Sequence, residues 1–231
     1  MMNVHAKKLT VALAAATLAV PGLAGCASMN NTERGAVVGA GAGGAIGAVI
    51  GKQTGSTARG AIIGAVLGGA AGAVIGRRMD RQAEELEGEL GNNADVTRVG
   101  EGIAVTFASG ILFPFDSDQI LPAGQSNLRE LAQSLQRYPE TEVLIVGHTD
   151  ATGSDEYNMR LSQRRADSAK NFLVGQGIRP DRIRTAGRGE AEPIASNADE
   201  AGRQQNRRVE VAIFASEEYR EQILREHGRN P

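Results

Sequence analysis

Val143-Leu144-Ile145-Val146-Gly147-His148-Thr149-Asp150 is the stretch whose reading decides the fold. Four successive apolar residues, none alternating with a polar one, are the pattern of a strand covered on both faces. Such a strand needs layers on either side, and the flanking sequence supplies helices. Upstream, Pro122 stands where a helix should begin. Leu121, Gly124, Leu128, Leu131, Leu135 and Tyr138 then follow at helical spacing until Pro139 stops the run. Downstream, Ser154 is placed to cap a second helix reaching about Gly175, with Tyr157, Leu161, Ala169 and Phe172 toward the core. Ile103 to Phe107 and Ile111 to Phe113 read as strands, and Arg179-Pro180-Asp181 turns the chain into Ile183 to Ala186. Val209, Val211 and Ile213 alternate with Glu210 and Ala212, which predicts a last strand with one covered face. The expectation is an α/β (α+β) sandwich, with two main helices on one face of a mixed sheet.

Asp150 then falls at the end of the buried strand, and Arg165 on the helix that follows. A carboxylate and a guanidinium held near each other and left unpaired form a receptor for a zwitterion. The acid takes an ammonium, and the arginine grips a carboxylate through two parallel hydrogen bonds. The plainer alternative is an Asp–Arg pair tying a loop to a helix, a common and weak contact.

The N-terminus speaks to address. Lys7 and Lys8 precede the uncharged run Leu9 to Val20, followed by Pro21-Gly22-Leu23-Ala24-Gly25-Cys26. This is the layout of a bacterial secretory signal, too short in its apolar part to span a bilayer. Leu23-Ala24-Gly25-Cys26 also resembles the lipobox of bacterial lipoproteins, which implies lipid attachment at Cys26 and, with Ala27 next, sorting to the outer membrane with the protein facing the periplasm. Cys26 is the chain's single cysteine, so no internal disulfide framework exists.

Net charge of −2 gives no electrostatic footprint for nucleic acid, and 3% aromatic residues with no Trp argue against a stacking groove. The 30 glycines exceed average usage, and most of the excess lies in two copies of one pattern, Gly35 to Gly51 and Gly60 to Gly76, identical at 12 of 17 aligned positions. In both copies glycine recurs at every fourth residue. On a helix this makes a smooth ridge that admits a neighbouring backbone. Alone in water it makes a poor helix, since each interior glycine costs roughly 0.8–1.0 kcal/mol against alanine. With the polar turn Lys52 to Arg59 between the copies, the block reads as a helical hairpin. Each arm is roughly 25 Å long, slightly short of a hydrocarbon core. It serves either as a spacer or as a membrane-inserting or homo-oligomerising element. Gly39, Gly41 and Gly44 fit G-x-G-x-x-G, but no strand precedes them and they belong to the longer period, so the dinucleotide reading fails. Met79 to Gly91 is highly charged and reads as a solvated helix or linker.

Enzyme readings find little support. His5, His148 and His227 are scattered, no metal-ligand spacing occurs, and no serine stands in a triad arrangement with His148 and Asp150. Asp116 and Asp118 read as an Asx-type cap before the first helix rather than as paired catalytic acids. Neither a catalytic residue, a metal nor a cofactor is expected.

Several motifs together carry a resemblance. Phe115-Asp116-Ser117-Asp118, Gly147-His148-Thr149-Asp150 with Gly153, Asn158-x-x-Leu161-Ser162-x-x-Arg165-Ala166, Gly187-x-Gly189 with Pro193, and Asn206-Arg207-Arg208-Val209 are similar to the motifs of the OmpA-like peptidoglycan-binding domain, in order and spacing. With its lipobox and glycine zipper the whole chain resembles the YiaD-type outer-membrane lipoproteins. The resemblance implies non-covalent binding of the diaminopimelate of peptidoglycan stem peptides. Asp150 would take its ammonium and Arg165 its carboxylate. Phe115 and Asp116 would shape the mouth, Thr149 and Asn158 add polar contacts, Leu161 line the wall, and Arg208 lie nearby. Ala169 stands where the motif more often carries valine, a matter of packing. The expected organisation is a signal peptide at 1–25, a lipidated tether at 26–34, the glycine hairpin at 35–78, a charged linker at 79–94, the binding domain at 95–216 and a charged tail at 217–231.

Overall fold

The computed structural model describes residues 55–227. The signal peptide, Cys26, the tether and the first glycine copy lie outside the described residues.

Seven helices and five strands follow one another: α1 (Thr57–Gly64), α2 (Gly69–Leu90), β1 (Asp95–Val99), β2 (Gly102–Ala108), α3 (Ser109–Leu112), α4 (Pro122–Arg137), β3 (Thr141–Gly147), α5 (Asp155–Gly175), β4 (Ile183–Gly187), α6 (Glu200–Asn206), β5 (Arg208–Ala215) and α7 (Glu217–His227). The strands form one sheet in the order β1-β2-β5-β3-β4. β3 and β4 are parallel, joined through α5, and every other pairing is antiparallel. The sheet is mixed, as expected.

Strand alternation sorts the side chains. Ile103, Val105 and Phe107 of β2, Val143 and Ile145 of β3, and Val209, Val211 and Ile213 of β5 face a core shared with α2, α4 and α5. Their neighbours Ala104, Val146, Ala212 and Phe214 face the other way, where Ala58 and Ile62 of α1 cover them. Both proline-bounded and Ser-capped helices are where the sequence put them, and the Ser154 hydroxyl accepts the Tyr157 amide at 3.3 Å.

Five expectations need correction. The second glycine copy is not one helix. It breaks between α1 and α2, where Gly68 and Gly69 take φ of +73° and +60°, values that side chains disfavour. The Glu101 carboxylate holds the break by accepting the amides of Leu67 and Gly68 at 2.9 and 2.8 Å. Of the two readings of the charged stretch from Met79, the helix holds and the linker does not: it is the second half of α2, packed rather than solvated on one side. Met79, Ala83, Leu86 and Leu90 form its buried stripe and the charges its outer face. Ile111-Leu112-Phe113 is not a strand. Leu112 closes the single-turn α3, because both Leu112 and Phe113 turn into the core and the Leu112 carbonyl receives the Leu121 amide. Lastly, β5 is buried along its whole length, since α1 covers the face that was expected to be open. The helical layer opposite also exceeds two main helices, with α2 and Ile223 of α7 joining it.

Among the described residues no helix is long and apolar enough to cross a membrane.

Candidate ligand-binding site

The site gathers at the ends of β3 and β4, where three loops meet the first turns of α5. Close approach makes the meeting work. A side chain on Gly147 would put a Cβ 2.1 Å from the Ser162 carbonyl oxygen, so only glycine lets β3 end against the helix. Gly189 takes φ of +52° and lies against Asn158 and Met159, and its carbonyl accepts the Thr149 amide at 2.8 Å. The 148–154 and 188–192 loops are thereby laced side by side. Asn158, Leu161, Ser162 and Arg165 recur at helical spacing on the buried face of α5.

Asp150 is buried but not unpaired, contrary to expectation. Its Oδ2 accepts Arg207 Nη1 at 2.5 Å and its Oδ1 accepts the Thr152 amide at 2.9 Å. Burial alone would raise its pKa, but these hydrogen bonds outweigh it and hold the carboxyl below its ordinary value. A carboxylate has about four lone-pair positions, so acceptor capacity remains for an incoming donor.

Arg165 is buried and held by loop carbonyls. Only 4% exposed, it donates Nε to the Ser117 carbonyl at 2.9 Å and sits over the Phe113 ring at 5.5 Å. It meets no carboxylate at ion-pair distance among the described residues. Desolvation lowers its pKa, partly offset by the charges of Asp116 and Asp118.

The remaining candidates divide. Asn158 is buried, and its amide nitrogen donates to the carbonyls of Asp150 and Thr152 and to Glu190 Oε2 at 2.7 Å. Thr149 is buried with its hydroxyl unpartnered, and Leu161 is buried beside the same turn of α5. Phe115 is 90% exposed at the tip of the 113–121 loop. Next to it Asp116 takes φ of +55°, the one positive value at a non-glycine residue among the described residues, and accepts the Tyr157 hydroxyl. Such strained backbone gathers at ligand sites. Asp116 and Asp118 do not cap α4, whose N-cap is Leu121 without a side-chain bond; Asp118 pairs with Arg164 at 3.1 Å instead.

Arg208 does not join the group. It is 2% exposed on the α1 side of the sheet, donating Nε to Glu210 at 2.7 Å. Its neighbour Arg207 holds Asp150. Alternation was the signal available: Arg208 opens β5 and shares a face with Glu210, two residues on, so Arg207 had to turn elsewhere. His148 also belongs to the α1 side, fully buried, with its ring nitrogens 4.0 and 3.8 Å from Glu192 and Glu210. No cluster suited to a metal ion occurs among the described residues.

Residues 112–207 match the OmpA family, and residues 5–80 the YMGG-like Gly-zipper. The chain is 43% identical over 136 residues to the Probable lipoprotein YiaD of Escherichia coli K12, covering 58% of this chain and 62% of that one. It is 42% identical over 103 residues to the Peptidoglycan-binding protein ArfA of Mycobacterium tuberculosis H37Rv, covering 45% of this chain and 32% of the relative. It therefore spans less than two thirds of these curated relatives. Its fold is like that of the cell wall anchor of the T6SS from Pseudomonas aeruginosa, with a TM-score of 0.52 and 30% identity over 60% of this chain and 98% of that one. The relatives reported are named as lipoprotein, peptidoglycan-binding protein and wall anchor rather than as enzymes. The chain carries a domain of the OmpA family in its C-terminal half, behind a segment of the YMGG-like Gly-zipper type.

Proposed function

We propose that this domain is a non-covalent receptor for the diaminopimelate head of peptidoglycan stem peptides. Anchored by lipid on Cys26 in the outer membrane and facing the periplasm, the chain would tether that membrane to the wall. Arg165 carries the reading. A buried guanidinium held by loop carbonyls, with no carboxylate to pair with, is a poor device for stability, because burying a charge is costly unless a counter-charge answers it. It is a good device for a ligand carboxylate. Asp150, kept charged by Arg207, supplies acceptors for the ammonium of the same head. Similarity to a wall anchor and to a peptidoglycan-binding protein supports the same ligand class.

Co-sedimentation with purified sacculi tests the reading. Asp150→Ala or Arg165→Ala should each weaken binding about tenfold or more, since a hydrogen bond to a charged group is worth roughly 1.5–3 kcal/mol. The two losses should be non-additive, as each removes half of one receptor. Muropeptides recovered afterwards should be uncut. Unchanged binding by a folded Asp150→Ala/Arg165→Ala variant would overturn the mechanism.

A further inference from the structure

The ammonium end of the site holds more than the sequence motif suggests. Asp150 is already paired with Arg207 at 2.5 Å, so an arriving ammonium must share this carboxylate with a guanidinium. The other arm of Arg207 donates to Glu200 at 2.5 Å, so one guanidinium is shared between two carboxylates. The second carboxylate beside the Asp150 turn is Glu190. The lacing of Thr149 to Gly189 delivers it, and Asn158 Nδ2 fixes it, touching Glu190 Oε2 at 2.7 Å and the Asp150 carbonyl at 3.2 Å. Glu190 is half-buried and has no cationic partner among the described residues. Its Oε1 makes no hydrogen bond there, and the buried Thr149 hydroxyl in the laced loop is likewise unpartnered.

We propose that Glu190 is a specificity-determining residue of this site, binding the ligand's ammonium together with Asp150. The inference rests on the reading of the domain as a diaminopimelate receptor and deepens it. An ammonium has three donors and no acceptor. Asp150 and Glu190 each offer it a carboxylate oxygen, and Glu190 adds a second negative charge on the side of the Asp150 turn that Arg207 does not occupy. Selectivity for a free amine over an acylated one then depends on Glu190, because a neutral amide gains nothing from a second carboxylate.

The test uses the full-length chain in detergent and two synthetic tripeptides, L-Ala-γ-D-Glu-meso-diaminopimelate with its side-chain amine free or acetylated. Affinities are read by calorimetry, with circular dichroism on each variant. Glu190→Gln keeps an oxygen to accept from Asn158 and removes only the charge. Wild type should prefer the free amine, and Glu190→Gln should lose about tenfold for the free form and little for the acetylated one. Glu190→Asp should recover part of the preference. If wild type binds the free form and Glu190→Gln keeps the full preference, or weakens both peptides equally, Glu190 only positions Asn158 and the inference fails while the receptor reading stands. If wild type binds neither tripeptide, the receptor reading itself fails.

Discussion

If the site binds as proposed, Arg207 should set the acid range over which it works. Burial pushes the Asp150 carboxyl up, but its bonds to Arg207 and to the Thr152 amide bring it below the ordinary value. A depressed carboxylate stays charged above its unfolded pKa of roughly 3.9 and loses its contribution only as pH falls through the lower folded value. Sacculus binding by wild type should therefore persist down through the ordinary carboxylate pKa and fade only at the more acid pH where the folded carboxyl protonates. In Arg207→Ala the burial remains without the compensating bond, so Asp150 protonates earlier and binding should fade at a higher pH. A pH series of co-sedimentation measures this; coincident acid midpoints for the two proteins would remove Arg207 from that role. Arg207 also shows where the sequence stopped being legible. Asp150, Asn158 and Arg165 follow from a motif on one strand end and one helix face, so their assembly is local and readable. The partner of Asp150 comes from the start of β5, and the choice between two adjacent arginines needs the phase of that strand. Glu190 depended on a loop crossing at Gly189 that no spacing announces.

At the scale of elements, α5 and α1 are held by opposite devices. α5 is seated by contact: the Gly147 Cα lies against the Ser162 carbonyl, and a Cβ there falls 2.1 Å from that oxygen. Because the obstacle is backbone, Gly147→Ala should cost about 3 kcal/mol, as overpacking does, and pull the Arg165 face away from Asp150. A denaturation midpoint equal to wild type would refute this. α1 is seated by polar contacts at its N-terminus. Ser56 donates to Glu210 at 2.6 Å, the Thr57 amide and hydroxyl donate to Glu192, and the fully buried His148 lies between those two acids. Burial, then the charges of Arg208 and Arg188, hold the His148 pKa well below its ordinary value. The folded protein thus keeps a neutral imidazole that the unfolded chain protonates near pH 6.5. Stability from this group is complete above pH 6.5 and declines below it, by up to about 1.4 kcal/mol per pH unit, until the folded pKa is reached. The melting temperature should fall between pH 7 and pH 5, and His148→Gln should flatten that slope. The polar cap of α1 and the buried acids it meets are more than 130 residues apart in the chain, so periodicity showed only a glycine ridge.

For the molecule as a whole, the second glycine copy belongs to the folded unit. Ala58 and Ile62 cover one face of the sheet, Ala71 and Ile75 enter the main core, and α2 continues that core to Leu90. Gln82 donates to Ser134 at 3.2 Å and Arg137 reaches Glu85 and Glu89, pinning α2 along α4. The first glycine copy lies outside the described residues, and the contacts of the second, with those of α2 beyond it, tie residues 57–90 to the sheet and α4. The glycine period is fully visible in the sequence. Its use was not, because a ridge of glycines fits a sheet face or a second helix equally well, and the sequence names neither. Two deletions separate these uses. A chain starting at Gly55 keeps every described contact and should unfold as the full-length protein does. A chain starting at Asp95 loses Ile75, Met79, Leu86 and Leu90, each no more than 1% exposed. At about 1.5–3 kcal/mol per fully buried side chain, those four are worth as much as the roughly 5–15 kcal/mol that holds a domain folded. That shorter chain should populate no cooperative native state and show no sacculus binding, although it retains Asp150, Arg165, Glu190 and Arg207. Equal melting curves for the two chains would return α2 to the role of a linker and the glycine copies to a hairpin of their own.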